Sequence, residues 1–218
     1  MEAFVTITGT GFRYAGYLAL PLLLLPILVV IAPKPLEGLA RTLTAAIDRL
    51  SGLAMGFAVS AAFLIILIQL SAVLLRYVFG LSFSWLNDSV IFSFAMIFML
   101  GAAATLRDDG HVRVDIMRSR FGDRTRAAIE MIGAMLFIFP IGILIVYAAS
   151  GLVARSWLDL EPFNESDGLP IQYLFKTLVP AFAVLMIAQG LSQALKAALV
   201  IRGLRRPDAP EHEHGGAV

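Results

Sequence analysis

The chain has 218 residues, 59% of them hydrophobic and only 15% charged, with a mean hydropathy of +0.83. Soluble domains carry roughly a quarter of their residues as charges, so this balance excludes a water-soluble globular protein. The absence of cysteine excludes a disulfide framework and a thiolate metal site. No basic stretch interleaved with aromatics points to nucleic acid, and the net charge of +1 says nothing until its distribution is read.

The charges fall between long apolar runs. Such runs are too long and too uniform for the ~10-residue alternating strands of a membrane barrel. Lipid offers the backbone no hydrogen-bond partner, so continuous spanning helices are the form that remains. The expected fold is an all-α integral membrane protein of about five transmembrane helices with an amphipathic interfacial helix.

In chain order, a polar lead over residues 1–13 ends at Arg13, and an apolar run over 14–32 follows, interrupted by Pro21 and Pro26. It has no basic cluster at its start, so it reads as a spanning helix kinked at its prolines, not as a cleaved signal. Pro33-Lys34-Pro35 closes it. In the next segment Leu36, Leu39, Leu43, Ile47 and Leu50 share one face, with Glu37, Arg41, Asp48 and Arg49 towards the other. That period predicts either a helix lying in the interface plane or an amphipathic connector packed on its own protein.

The second span is expected over 51–79. Gly52, Gly56 and Ser60 recur every four residues, as do Ala54, Ala58 and Ala62, the kind of ridge that lets helices approach closely in lipid. Gln69 is the one strongly polar side chain deep in this span and is expected to make an interhelical hydrogen bond. Arg76 and Tyr77 stand where snorkelling and the aromatic belt place such residues.

A tight reversal over 80–87 leads into a third span, 85–106, which begins at Trp85 with Asp88 one turn later. It ends on a polar knot of Arg107, Asp108, Asp109, Gly110, His111, Arg113 and Asp115. Asp123 is the expected N-cap of a fourth span over 125–151, bent at Pro140. An acidic connection over 152–169 carries Trp157, Asp159, Glu161, Phe163, Glu165 and Asp167. The fifth span covers 170–198 with Pro180 inside it; Gln189 and Gln193 share one face, and Gly190, Ala194 and Ala198 another. A basic end (Arg202, Arg205, Arg206) runs into a polar tail, where His212 and His214 read as solvated residues and not as a metal site. The parts are thus an N-terminal helix with its linker (1–50), a four-helix unit (51–200) and a tail (201–218).

Five spans put the termini on opposite sides. Segments 33–50, 107–126 and 196–218 hold thirteen of the lysines and arginines, against Arg13, Arg76, Arg155 and Lys176 on the other side. By the positive-inside rule the knot and C-terminus are expected in the cytoplasm, and the N-terminus with the acidic connection outside.

No histidine lies in an expected span, which argues against a haem-bearing subunit. The spans lack the buried acids, serine–histidine pairs and intramembrane charges of proteases and stand-alone carriers. The chain reads as a non-catalytic scaffold or accessory subunit with no cofactor of its own.

The arginine-ended helix LLRYVFG, the Trp and acid of FSWLNDS, the run GAAATLRDDGHVRVD and the proline-bearing last helix together resemble one family. It is the small membrane subunit (DctQ, or Q component) of the tripartite ATP-independent periplasmic (TRAP) transporters, and the resemblance spans roughly residues 50–200. The family's arginine–histidine–acid stretch after the second helix matches Arg107, His111, Val112, Val114 and Asp115. Two departures stand out. The usual pair of acids after the Trp is Asn87-Asp88 here, and the 14–32 helix precedes the four-helix pattern, as in the longer subunits.

The resemblance implies a bacterial inner membrane and three components. A large membrane subunit (M) carries the substrate and sodium sites and moves as an elevator. A periplasmic substrate-binding protein (P) delivers an organic acid. The small subunit braces the static part of the large one. The alternative is an unrelated membrane scaffold or regulatory protein.

Trp85, Asp88, Arg76, Gly52, Gly56, Gln189 and Gln193 are the candidate contacts to the large subunit. Asp88 would meet a cation there or Arg76 across the reversal; Gly52 and the two glutamines could equally pack inside this chain. Arg107, Asp108, Asp109, His111, Arg113 and Asp115 are expected to form a hydrogen-bonded cytoplasmic turn whose arginines also suit anionic membrane lipids. Asp88 and His111 stand ~30 Å apart across one span, so they fix two ends of a helix and share no chemical site.

Overall fold

The computed structural model describes residues 21–108, 121–163 and 167–205. Among these there is no strand; four helices are long and apolar enough to cross a membrane. This is an all-α membrane protein. Helix α1 is described over Pro21–Ile31, and the remainder of the span expected at 14–32 lies outside the described residues. Then come α2 (Pro33–Phe79), α3 (Ser84–Arg107), α4 (Asp123–Leu158) and α5 (Gln172–Ile201).

Helix α2 starts with Pro33 in its first turn, where proline's missing N–H costs nothing and its φ is already helical. It then runs 47 residues without a break, so the segment expected as a separate helix over 36–50 is the first third of a longer helix. The helix runs through residues 50 and 51 and past Gly52 with no proline to break the hydrogen-bond ladder. Of its apolar face, Leu36, Leu43 and Ile47 pack with Ala40 against α1 and α5, while Leu39 and Leu50 stay exposed. That is the arrangement of a connector packed on its own protein.

Gly80 stops α2 in the left-handed conformation, at φ 67°, which a side chain would strain. The Leu81 N–H then reaches back to the Leu75 carbonyl at 3.0 Å, the closing bond of a glycine C-cap. Helix α3 returns antiparallel against α2. The alanine ridge makes this contact. Ala54 and Ala58 are buried together with Ala61, while Ala62 of the expected ridge is half-buried, and a Cβ on Gly101 would stand 3.7 Å from that of Ala58. Gly56 and Ser60, on the parallel ridge, are exposed.

Helix α4 has Gly122 as N-cap and Asp123 already in its first turn, so it begins one residue earlier than an Asp123 cap implies. A five-residue π-helical stretch, Ala134–Ile138, stands just ahead of Pro140, where a bend is expected. Proline removes one donor and crowds the preceding turn, and a π-bulge absorbs both.

Helix α5 is central and packs against α2, α3 and α4. Its contact with α4 is close because glycine stands at the crossing. A Cβ on Gly190 would lie 2.9 Å from Cγ2 of Ile138, and one on Gly142 2.5 Å from Cγ1 of Ile187. Gly190, Ala194 and Ala198 are all buried, as is Leu195 beside them. The large apolar side chains point the other way. Phe57, Phe63, Ile66, Tyr77, Phe137, Leu144 and Tyr147 are among the most exposed residues. In lipid the hydrophobic effect does not separate inside from outside, so small residues make the core and large ones meet the acyl chains.

Candidate functional site

The polar side chains that hold the helices together gather at the two ends of the bundle. At the Arg107 end, α5 presents Gln189, Ser192, Gln193 and Lys196, spaced three, four and seven residues apart and so on one helical stripe. Asp48 of α2 meets that stripe. Its carboxylate accepts from Lys196 Nζ at 2.8 Å, Ser192 Oγ at 2.8 Å and Gln189 Nε2 at 3.2 Å. Ser51, one turn on, donates to Gln189 Oε1 at 2.6 Å, so both ends of that fully buried amide are satisfied.

The third helix joins through Arg107 and Leu106. Arg107 Nη1 donates to the Asp48 carbonyl at 3.1 Å, and Nε and Nη2 fork onto Asp108 at 2.7 and 2.9 Å. That fork holds the Asp108 carboxyl below its ordinary range. The guanidinium passes close to Gly52, where a Cβ would stand 3.2 Å from Nη1; glycine leaves it room. Gln193 Nε2 donates to the Leu106 carbonyl. Further along, Arg202 donates to the Val30 and Ile31 carbonyls at the end of α1, where a cation suits the unsatisfied carbonyls and the helix dipole. Arg41 donates to the Leu204 carbonyl at 2.8 Å.

At the Trp85 end the α4–α5 connection folds onto the start of α3. Asp88, 8% exposed, accepts the Leu169 N–H at 3.0 Å, and Asp167 accepts the Ser84 N–H at 2.9 Å. Glu161 closes the connection on itself, pairing with Lys176 and accepting from Ser156 Oγ at 2.7 Å. The Lys176 ammonium and then the Ser156 hydroxyl hold Glu161 below the usual carboxylate range, and the Ser84 N–H does the same for Asp167. Trp157 packs edge-on to Tyr173 at 4.8 Å and donates to Thr177 Oγ1 at 2.8 Å.

The expected contact residues therefore have different surroundings. Gln189, Gln193 and Gly52 hold the chain's own helices together; Gln189 is wholly buried and leaves nothing for another subunit. Asp88 and Trp85 do not act as a pair on one face. Three residues apart on a helix leaves them about 60° apart around the axis, and the boundary of the bundle falls between them. Asp88 turns inward to a backbone N–H, while Trp85 stays 43% exposed against Phe83. Arg76 does not reach Asp88; it is exposed and bonds only Ser82 Oγ, at 3.4 Å. Gly56 is exposed with open space around it. Asp109, Gly110, His111, Arg113 and Asp115 lie outside the described residues, so of the expected cytoplasmic turn only Arg107 and Asp108 are placed. Among the described residues no cluster of three or more histidines and acids could hold a metal.

Asp48, Ser51, Ser192, Lys196, Glu161 and Asp167 were not singled out as site residues by sequence. The spacing of Gln189, Ser192, Gln193 and Lys196 is a legible stripe once read as four residues instead of two. Nothing in the sequence pairs Asp48 with Lys196, 148 positions away.

The arrangement fixes helices to one another. No curated protein and no solved structure matches the chain. The sequence model of one family does, the "Tripartite ATP-independent periplasmic transporters, DctQ component", over residues 65–199, well over half of the chain. The chain belongs to the DctQ family and is a small permease component of a TRAP transporter.

Proposed function

We propose that this subunit is a static, non-catalytic brace for the large permease subunit of a sodium-coupled, binding-protein-dependent uptake system for an organic acid. The observation that carries this reading is the distribution of its polar contacts. They tie α2, α3 and α5 at one end and α3, α4 and α5 at the other. The middle of the bundle between them is closed by alanine and glycine contacts. A body pinned at both ends resists shear between its helices, as the fixed part of an elevator must.

On this reading the substrate and sodium sites belong to the large subunit, and a periplasmic binding protein supplies the solute. The Arg107 end faces the cytoplasm of a bacterial inner membrane, in line with thirteen basic residues on that side against four. A reporter enzyme active only outside the cytoplasm, fused to the C-terminus, is expected to stay inactive.

The direct test is reconstitution. The large subunit, purified with and without this chain, is placed in liposomes with its binding protein and a sodium gradient. Uptake of a labelled organic acid is expected only when both membrane subunits are present. Equal uptake without this chain would overturn the proposal.

A further inference from the structure

One polar group in the hydrocarbon has no place in either set of end contacts. Gln69 lies on α2 about 10 Å along the axis from Arg76, well inside a ~30 Å apolar core. It is exposed, and no described residue hydrogen-bonds its amide. Buried polar groups without partners are costly in hydrocarbon, and acyl chains can supply none. Beyond Ala61 α2 has no fully buried residue, and the face that Gln69 shares with Ile66, Leu70 and Val73 is exposed. Gln69 also lines an apolar groove of about 540 Å³ between α2 and α3, with Ile66, Leu70, Val73 and Val90. Arg76, seven residues on, continues the same stripe and has no carboxylate partner among the described residues.

We infer that this groove is the seat of a transmembrane helix of the large permease subunit. The occupant's chemistry follows from what the groove leaves unsatisfied. It presents apolar side chains to Ile66, Leu70 and Val73, a hydroxyl or amide at the depth of Gln69, and an acid about two turns outward opposite Arg76. A lipid fills the apolar part and its headgroup phosphate meets Arg76, but its acyl chains leave the Gln69 amide unbonded, whereas a helix with that pattern satisfies all three. The inference rests on the bracing role proposed above and narrows it to one surface. The exposed face of α4, which carries Leu144 and Tyr147 without an unpaired amide, is by contrast left to lipid.

The test uses the full chain in membranes with its co-expressed large subunit. A photo-crosslinking residue, p-benzoylphenylalanine, replaces Leu70 in one preparation and Leu144 in another. Position 70 is expected to crosslink to the large subunit, identified by peptide mass, and position 144 is not. In parallel, Gln69→Leu is expected to lower the large subunit retained through detergent washing about fivefold, the worth of one interhelical hydrogen bond. Leu144→Ala should leave it unchanged. Crosslinks from position 70 to a second copy, to this chain's own residues 1–20, or to lipid alone overturn the inference. If the complex forms but crosslinks only from position 144, this surface is wrong and the bracing role stands. If the unaltered chain retains no large subunit, the bracing role fails with it.

Discussion

The two ends of the bundle are fastened by different chemistry. At the Arg107 end side-chain bonds join α2 to α5, α3 is tied in through the Asp48 and Leu106 carbonyls, and one carboxylate, Asp48, takes three of the bonds. At the Trp85 end Asp88 and Asp167 each accept a single backbone N–H, one in the connection and one at a helix start, and Glu161 separately takes Lys176 and Ser156. A shared acceptor makes the first end cooperative: removing it strands several donors together, and a stranded cation costs more than the bond it made. The second end is modular. Removing Asp88 or Asp167 frees one backbone N–H and strands no charge.

The largest effect is therefore expected at Asp48. Asp48→Leu leaves the Lys196 ammonium without its acid and removes the acceptor of Ser192 and Gln189. It should destabilise the subunit in detergent by about 2–3 kcal/mol, read from its thermal midpoint. Adding Lys196→Met should recover part of that loss. A single variant as stable as the parent would mean that this end is not cooperative.

Asp88 comes next. Asp88→Ala should cost about 1–2 kcal/mol and speed hydrogen exchange at the Leu169 amide, with no change at Leu106. Asp88→Asn, which keeps an acceptor oxygen, should exchange almost as slowly as the parent. Faster exchange at both ends would join what the structure separates.

Acid should affect the Trp85 end more gently. Glu161 and Asp167 are held below their ordinary values by bonds that exist only in the folded connection. A lowered carboxyl adds stability above its unfolded value, near pH 4, and loses it as pH falls through the folded value. Tryptophan fluorescence, reporting Trp85 and Trp157, which both lie at this end, should stay constant from neutral pH down to about 4 and change only below that. A transition near pH 6 would contradict this assignment.

The smallest effect belongs to Arg76. Exposed and bonded only to Ser82, it should contribute less than about 0.5 kcal/mol to the isolated subunit. Arg76→Ala should leave the thermal midpoint unmoved in the absence of a partner. A clear drop would show that it already serves the fold.

The helices themselves were legible in the sequence because each depends on local pattern. Long apolar runs marked the spans, Gly80 the reversal and Pro140 the region where α4 departs from regular α-helix. The alanine ridge and the Gly190–Ala198 face were legible as close-packing surfaces for the same reason. Asp48 was not, because it sits on a charged stretch whose residues look equally solvated, and its partner is on the last helix. Asp88 was read outward from its neighbour Trp85, although three residues of helix are enough to cross from lipid to interior. Gln69 was read as bonded because an amide at that depth ought to be, and the chain's own described residues leave that bond unmade.

The central claim is that this subunit keeps its shape while the transporter works. The chain has no cysteine, so spin labels at Phe94→Cys on α3 and Leu144→Cys on α4, both exposed positions, report one distance by pulsed electron resonance. In the reconstituted complex the account predicts one narrow distribution, unchanged by sodium or by the loaded binding protein. A second population displaced by about 5 Å, the scale of one helical turn, would contradict it.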